Sequence, residues 1–209
     1  MFVRVIFAPF VLCFVGMPGS VDDSPSQIVE GKHESPSGES ATYTGVNDAK
    51  LGQMTLPPQL KRLSFRNSEL TDAGLVNLKD LVQLRFLSLN GAQIRGTGIV
   101  HFKRLSQLKS LSLNDTKLTD AGMEHLAELT QLRTLGLDNS AVTDAGLVHL
   151  KDLRKLEWLY LNDTAVTDEG LLHLQGLAQL RFLSVVNTSV TKAGIDRLHH
   201  SRPNVRIRH

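Results

Sequence analysis

Four histidines, His101, His125, His149 and His173, recur every 24 residues, and the carboxylates Asp120, Asp144 and Asp168 keep the same interval. Imidazoles and carboxylates bind metals and move protons, but either task needs unlike groups converging on one point. A fixed interval that copies one residue type sets those copies side by side along an array. The histidines therefore read as structural or solvated, and the aspartates as helix caps. His199 and His200 lack a third partner. Cys13, the only cysteine, leaves no thiol pair for a disulfide or a cysteine-based zinc site. Motifs for a serine nucleophile, a phosphate-binding loop, a zinc protease and a dinucleotide site are all missing from the sequence. The sequence thus predicts no catalytic residue, no metal and no cofactor.

A second series, Asn90, Asn114, Asp138 and Asn162, is followed by Gly91, Asp115, Asn139 and Asp163. Calcium takes about six to eight converging oxygens. Groups projecting in parallel from successive repeats do not converge, so this series predicts turn stabilisation. Asn114, Asn162 and Asn187 also begin glycosylation sequons, which arise from the repeat consensus itself.

Leucine marks the repeat: Leu60, Leu84, Leu108, Leu132, Leu156 and Leu180 stand 24 residues apart with no insertion. In the third unit Leu108, Leu111 and Leu113 give L-x-x-L-x-L, whose second half alternates as a strand does. Met123, Leu126 and Leu129 then follow at the three-residue spacing of one helix face. Between the two lies Thr-Asp-Ala-Gly, at 71–74, 119–122 and 143–146, with variants at 167–170 and 191–194. Threonine and aspartate suit a helix start, because their oxygens accept from its free amides and the acid complements its dipole. The recurrent glycine implies a close approach between neighbouring units. The second unit departs from this pattern with Arg95-Gly96-Thr97-Gly98, which predicts the loss of one capping carboxylate.

This pattern resembles the leucine-rich repeat family over residues 57–209, and most closely its cysteine-containing subtype, found in F-box proteins and many bacterial proteins. The resemblance implies an α/β solenoid with a parallel sheet on the concave side and short helices on the convex side. Where that subtype places cysteine, this chain has Ser68, Ala92, Thr116, Ser140, Thr164 and Thr188, and the serine and threonine hydroxyls can bond turn backbone groups as a ladder. No F-box-like segment precedes the repeats, so the ubiquitin-ligase role is not carried over.

The chain of 209 residues is 41% hydrophobic and 21% charged with a net charge of +2, a balance that suits one folded core rather than a disordered chain. Residues 1–20 read as a secretory signal: Arg4, an apolar run from Val5 to Val15, then a small-residue exit. The run is too short to span a bilayer, so membrane attachment is expected only if this segment is retained as an anchor. The expected location is secreted, periplasmic or in the cell envelope. Residues 21–56, rich in Ser, Pro, Gly and acids, predict a flexible acidic linker, with Leu51, Met54 and Leu56 as a candidate N-terminal cap. Residues 57–209 then supply six repeats and a terminal half-strand, Pro203 to Ile207.

With the leucines inward, two columns of side chains face out of the sheet. One runs Arg62, Phe86, Ser110, Thr134, Trp158, Phe182, and the other Ser64, Ser88, Ser112, Gly136, Tyr160, Ser184. Strands about 4.8 Å apart bring Trp158, Tyr160 and Phe182 within reach of one another. Exposed aromatic anchors favour protein interfaces, so Phe86, Trp158, Tyr160, Phe182 and Arg62 are the candidate binding residues. The expected function is non-catalytic binding of a protein partner, not of nucleic acid or a small-molecule substrate. The alternative is a structural or adhesive repeat protein without a single hot spot. Ordering one repeat costs more than burying its own side chains returns, so neighbours must supply the rest. A synthetic peptide of residues 132–155 is accordingly expected to be unstructured by circular dichroism in buffer.

Overall fold

The computed structural model describes residues 32–209. It contains a nine-stranded sheet in chain order: β1 (Lys32–Glu34), β2 (Ser40–Thr44), β3 (Arg62–Arg66), β4 (Phe86–Ser88), β5 (Ser110–Ser112), β6 (Thr134–Gly136), β7 (Trp158–Tyr160), β8 (Phe182–Ser184) and β9 (Arg206–Arg208). Strands β2 to β9 are parallel, and from β3 to β8 each pairs with the next in the 24-residue register, Leu63 to Leu87 to Leu111 and onward. Only β1 is antiparallel, closing the N-terminal edge against β2. Leucines 60, 84, 108, 132, 156 and 180 are all buried, and one continuous apolar core runs from Ala41 to Val205.

The opposite layer is made of short helical segments. Asp72–Leu78 and Thr97–Arg104 are 3-10 helices, and Asp120–Met123 and Asp144–Leu147 are single α-turns that continue as 3-10. A leucine every third residue matches the three residues per turn of a 3-10 helix, which keeps one apolar row inward over so short a span. Only the last helix, Lys192–Ser201, runs ten residues. It ends where His199 Nε2 meets Val205 O at 3.0 Å, tying the helix to the chain that leads into β9.

The flexible linker expected over residues 21–56 is corrected for its described part. Residues 32–53 form β1, β2 and a helix, Asp48–Gln53. Ala41, Tyr43, Val46 and Leu51 are buried, and the Tyr43 ring stacks on Phe65 at 5.9 Å. The acidic groups are engaged locally: Tyr43 Oη donates to Glu34, and Lys61 pairs with Glu39. Burial and the neighbouring Glu34 carboxylate push the Tyr43 phenol up to about 12. The segment is a degenerate repeat. Asn47-Asp48-Ala49 stands for Thr-Asp-Ala, 24 residues before Thr71, whereas Ala41 pairs with Leu63 across an interval of 22. That two-residue contraction hid the unit from the 24-residue count. The expected signal segment, residues 1–20, lies outside the described residues.

The aspartates do not cap their own helices. Each reaches into the next repeat: Asp120 Oδ1 accepts from Thr143 N at 2.8 Å and its Oδ2 from Thr143 Oγ1 at 2.6 Å. Asp144 binds Thr167 in the same way, as do Asp48 with Thr71 and Asp168 with Thr191. The threonine hydroxyl, its proton turned toward that carboxylate, accepts from its own helix, as Thr143 Oγ1 does from Ala145 N and Thr167 Oγ1 from Glu169 N. The recurrent glycine makes room for the same carboxylate. A Cβ at Gly146 falls 2.4 Å from Asp120 Oδ1, and one at Gly170 falls 2.2 Å from Asp144 Oδ1.

The second repeat breaks the chain of contacts. Its Gly96, at φ 118°, occupies the aspartate position, so Thr119 meets only the Arg95 carbonyl, at 3.3 and 3.4 Å, and caps nothing. Here backbones touch directly: a Cβ at Gly122 falls 2.3 Å from Arg95 O and 2.7 Å from Gly96 Cα. Gly122→Ala is therefore expected to cost more than Gly146→Ala, whose clash is with a side chain able to rotate at the loss of its threonine bonds. Overpacking of this kind costs about 1–3 kcal/mol; urea unfolding of the two variants checks the order.

Candidate functional site

The sheet face is built by alternation along three-residue strands. Leu63, Leu87, Leu111, Leu135, Leu159 and Leu183 point into the core, and the residues on either side of each point out. The ladder aligns Trp158 with Phe182 and Tyr160 with Ser184 on adjacent strands. The Trp158 and Phe182 rings lie 5.5 Å apart at 36°, and Tyr160 and Phe182 lie 5.5 Å apart at 50°. All three are half-buried, which leaves a tilted aromatic cluster over β7 and β8.

The five sequence candidates do not form one patch. Phe86 stands three strands away from Trp158, under the Arg62 guanidinium, whose Cζ is 4.2 Å from the ring centroid. Arg62 and Phe86 are thus a cation–π pair on β3 and β4, while Trp158, Tyr160 and Phe182 form a separate cluster. Between them the floor is low: Ser88, Ser110, Ser112, Thr134 and Gly136 face outward from β4, β5 and β6.

The rim beyond the strands is a second ladder. Asn90 Oδ1 accepts from Ser112 Oγ at 2.7 Å and from Asn114 N at 3.1 Å. Asn114, Asp138 and Asn162 each accept from the backbone amide 24 residues on. These oxygens are spent on neighbouring turns, as the parallel series predicts. The hydroxyls in the cysteine slot act within their own turns rather than between repeats: Thr116, Ser140, Thr164 and Thr188 each donate to the carbonyl three residues back. Asp115, Asn139, Asp163 and Asn187 turn the chain at positive φ, between 50° and 58°, a region that Asn and Asp tolerate better than most residues. The four recurrent histidines lie on the outer, helical face. No group of three or more potential metal ligands comes together among the described residues, and no helix among them is long and apolar enough to cross a membrane.

The one carboxylate in the asparagine series is held out of its ordinary range. Burial pushes Asp138 up, offset in part by the Asn162 amide and reinforced by Asp163 and Asp115. A carboxyl raised on folding binds its proton more tightly in the folded chain, so the ionised form costs stability at neutral pH. That cost is relieved as the pH falls through the raised value toward 3.8. Asp138→Asn, which matches the neighbouring repeats, is expected to raise the melting temperature at pH 7, with the gain shrinking as the pH is lowered. Thermal melts of both proteins across that range check it.

Comparison with known proteins agrees with this architecture. Residues 105–127 match a family model described as Leucine Rich repeat. An internalin from Listeria monocytogenes superposes on 81% of the chain with a TM-score of 0.66 at 21% identity. An internalin C2 from the same species does so on 81% with a TM-score of 0.66 at 24% identity. A leucine-rich repeat protein of Leptospira interrogans covers 73% with a TM-score of 0.54 at 21% identity. The chain spans 46%, 69% and 44% of those three proteins respectively. No curated protein matches it. At these identities the likeness is one of fold, and the chain folds as a leucine-rich repeat solenoid, an α/β array with its parallel sheet on one side and short helices on the other.

Proposed function

We propose that this chain is a non-catalytic, protein-binding solenoid, exported by its N-terminal segment, that recognises a partner protein on the sheet face. The observation that carries this reading is the cluster of Trp158, Tyr160 and Phe182, with Trp158–Phe182 and Tyr160–Phe182 ring centroids 5.5 Å apart on neighbouring strands beside a low, hydroxyl-lined floor. Three half-buried aromatic rings clustered on one sheet face are an unusual surface to leave in water. Large, rigid anchors of this kind dominate interface energies. Arg4 and the apolar run from Val5 to Val15 support export, to the cell envelope or beyond. The Thr-Asp-Ala-Gly signature, with Thr or Ser in the cysteine slot, supports placement beside the cysteine-containing subtype of leucine-rich repeats.

Trp158→Ala is expected to weaken capture of the partner by about 2 kcal/mol or more, the size of a hot spot, while leaving the melting temperature nearly unchanged. The measurement is photo-crosslinking in the native host, with the probe at Ser110 on the sheet or at Val148 on the helical face. A partner caught from Ser110 and lost on Trp158→Ala supports the reading. Capture from both faces that is indifferent to Trp158 points instead to an adhesive module using the whole surface.

A further inference from the structure

The residue that opens each strand segment forms a third column, one position before the first outward column. It reads Lys61, Arg85, Lys109, Arg133, Glu157 and Arg181. The backbone fixes its alignment: each of these carbonyls from Lys61 to Glu157 accepts from the amide of the next member, at 2.8 to 2.9 Å. Four cations therefore stand on consecutive rungs, about 4.8 Å apart. Acids neutralise only the ends of this run. Glu39 pairs with Lys61, and Glu157 pairs with Arg133 at one side and lies 3.9 Å from Arg181 at the other. Arg85 and Lys109, both exposed, have no acidic partner among the described residues.

We infer that the sheet face takes a protein segment of divided character, with carboxylates over Arg85 and Lys109 and apolar side chains over Trp158, Tyr160 and Phe182. This rests on the sheet-face reading above and adds the chemistry of the partner. The two zones are two to four strands apart, or about 10–19 Å. The serine, threonine and glycine floor between them lets a backbone pass close to the sheet. A uniform polyanion such as a nucleic acid or a sulfated glycan fits less well. Glu157, paired with Arg133 and 3.9 Å from Arg181, stands in the column immediately beside Trp158 and interrupts the row of cations there, while Arg206 and Arg208 on β9 continue the outward columns beyond Phe182 and Ser184. A partner that is acidic at one end and apolar at the other suits both ends.

The probe is a synthetic peptide of six glutamates, a four-residue Gly-Ser spacer spanning about 13 Å, and Phe-Leu-Phe. Fluorescence anisotropy with the full chain is expected to show binding tighter than to hexaglutamate or the apolar half alone, and weakened by salt. Arg85→Glu with Lys109→Glu should reduce affinity at least about tenfold and create a preference for the hexalysine counterpart, because both side chains are exposed and form no ion pair among the described residues. Trp158→Ala should remove the advantage of the apolar half while leaving hexaglutamate binding unchanged. Binding that depends on Trp158 but ignores the double charge reversal overturns this inference and leaves the aromatic sheet-face reading standing. Dependence on the charges alone, with no effect of Trp158→Ala, overturns both. Single-stranded DNA or heparin binding as tightly as the divided peptide, and strengthened by Glu157→Gln, assigns the face to polyanions and overturns the inference.

Discussion

The stack depends on one contact repeated along its helical side: an aspartate carboxylate of one unit gripping the threonine that starts the helix of the next. Asp48, Asp120, Asp144 and Asp168 each hold a backbone amide with one oxygen and a hydroxyl with the other. The contact performs two tasks. It caps nothing in its own repeat, yet by directing the threonine proton it frees a lone pair to cap the following helix. A helix of one or two turns has little stability of its own, so each unit's helix is completed by its predecessor. Cooperativity between neighbours is thereby written into hydrogen bonds as well as into shared leucine packing.

The same logic explains why so small a sequence vocabulary suffices. Strand leucines fill the interior, the asparagine series satisfies the turns after the strands, and the glycine beside each aspartate is the cavity that its carboxylate occupies. Because every inward position is committed, individuality is confined to outward columns. There the chain spends its only tryptophan, and there Phe86 and Arg62 pair by themselves.

Much of this is legible in the amino-acid sequence. The five intervals between the six leucines contain the sheet, its register and the outward columns, because a strand's period of two leaves a side chain no other face. The proximity of Trp158, Tyr160 and Phe182 followed directly. Other features escaped because their signal lies between repeats or outside the interval. A carboxylate reaching 23 or 24 residues ahead looks, in one unit, like a cap on its own helix. The N-terminal unit, shortened by two residues between Ala41 and Val46, looks like a linker when judged by its serines and acids. The separation of Phe86 from the other aromatics is a matter of distance along the stack, which a list of residue types does not convey.

Gly96 makes one junction of the array unlike the rest. At every other junction of this kind a carboxylate is clamped onto the next unit, but between the second and third repeats the bearing is bare backbone of Arg95 and Gly96 on Gly122. On the sheet side of that same junction, Arg85 of one unit and Lys109 of the next repel each other across adjacent rungs. The junction between the second and third repeats thus lacks the carboxylate clamp of the others and sets two like charges side by side on its sheet face, so an anion lying across those two cations would relieve their repulsion.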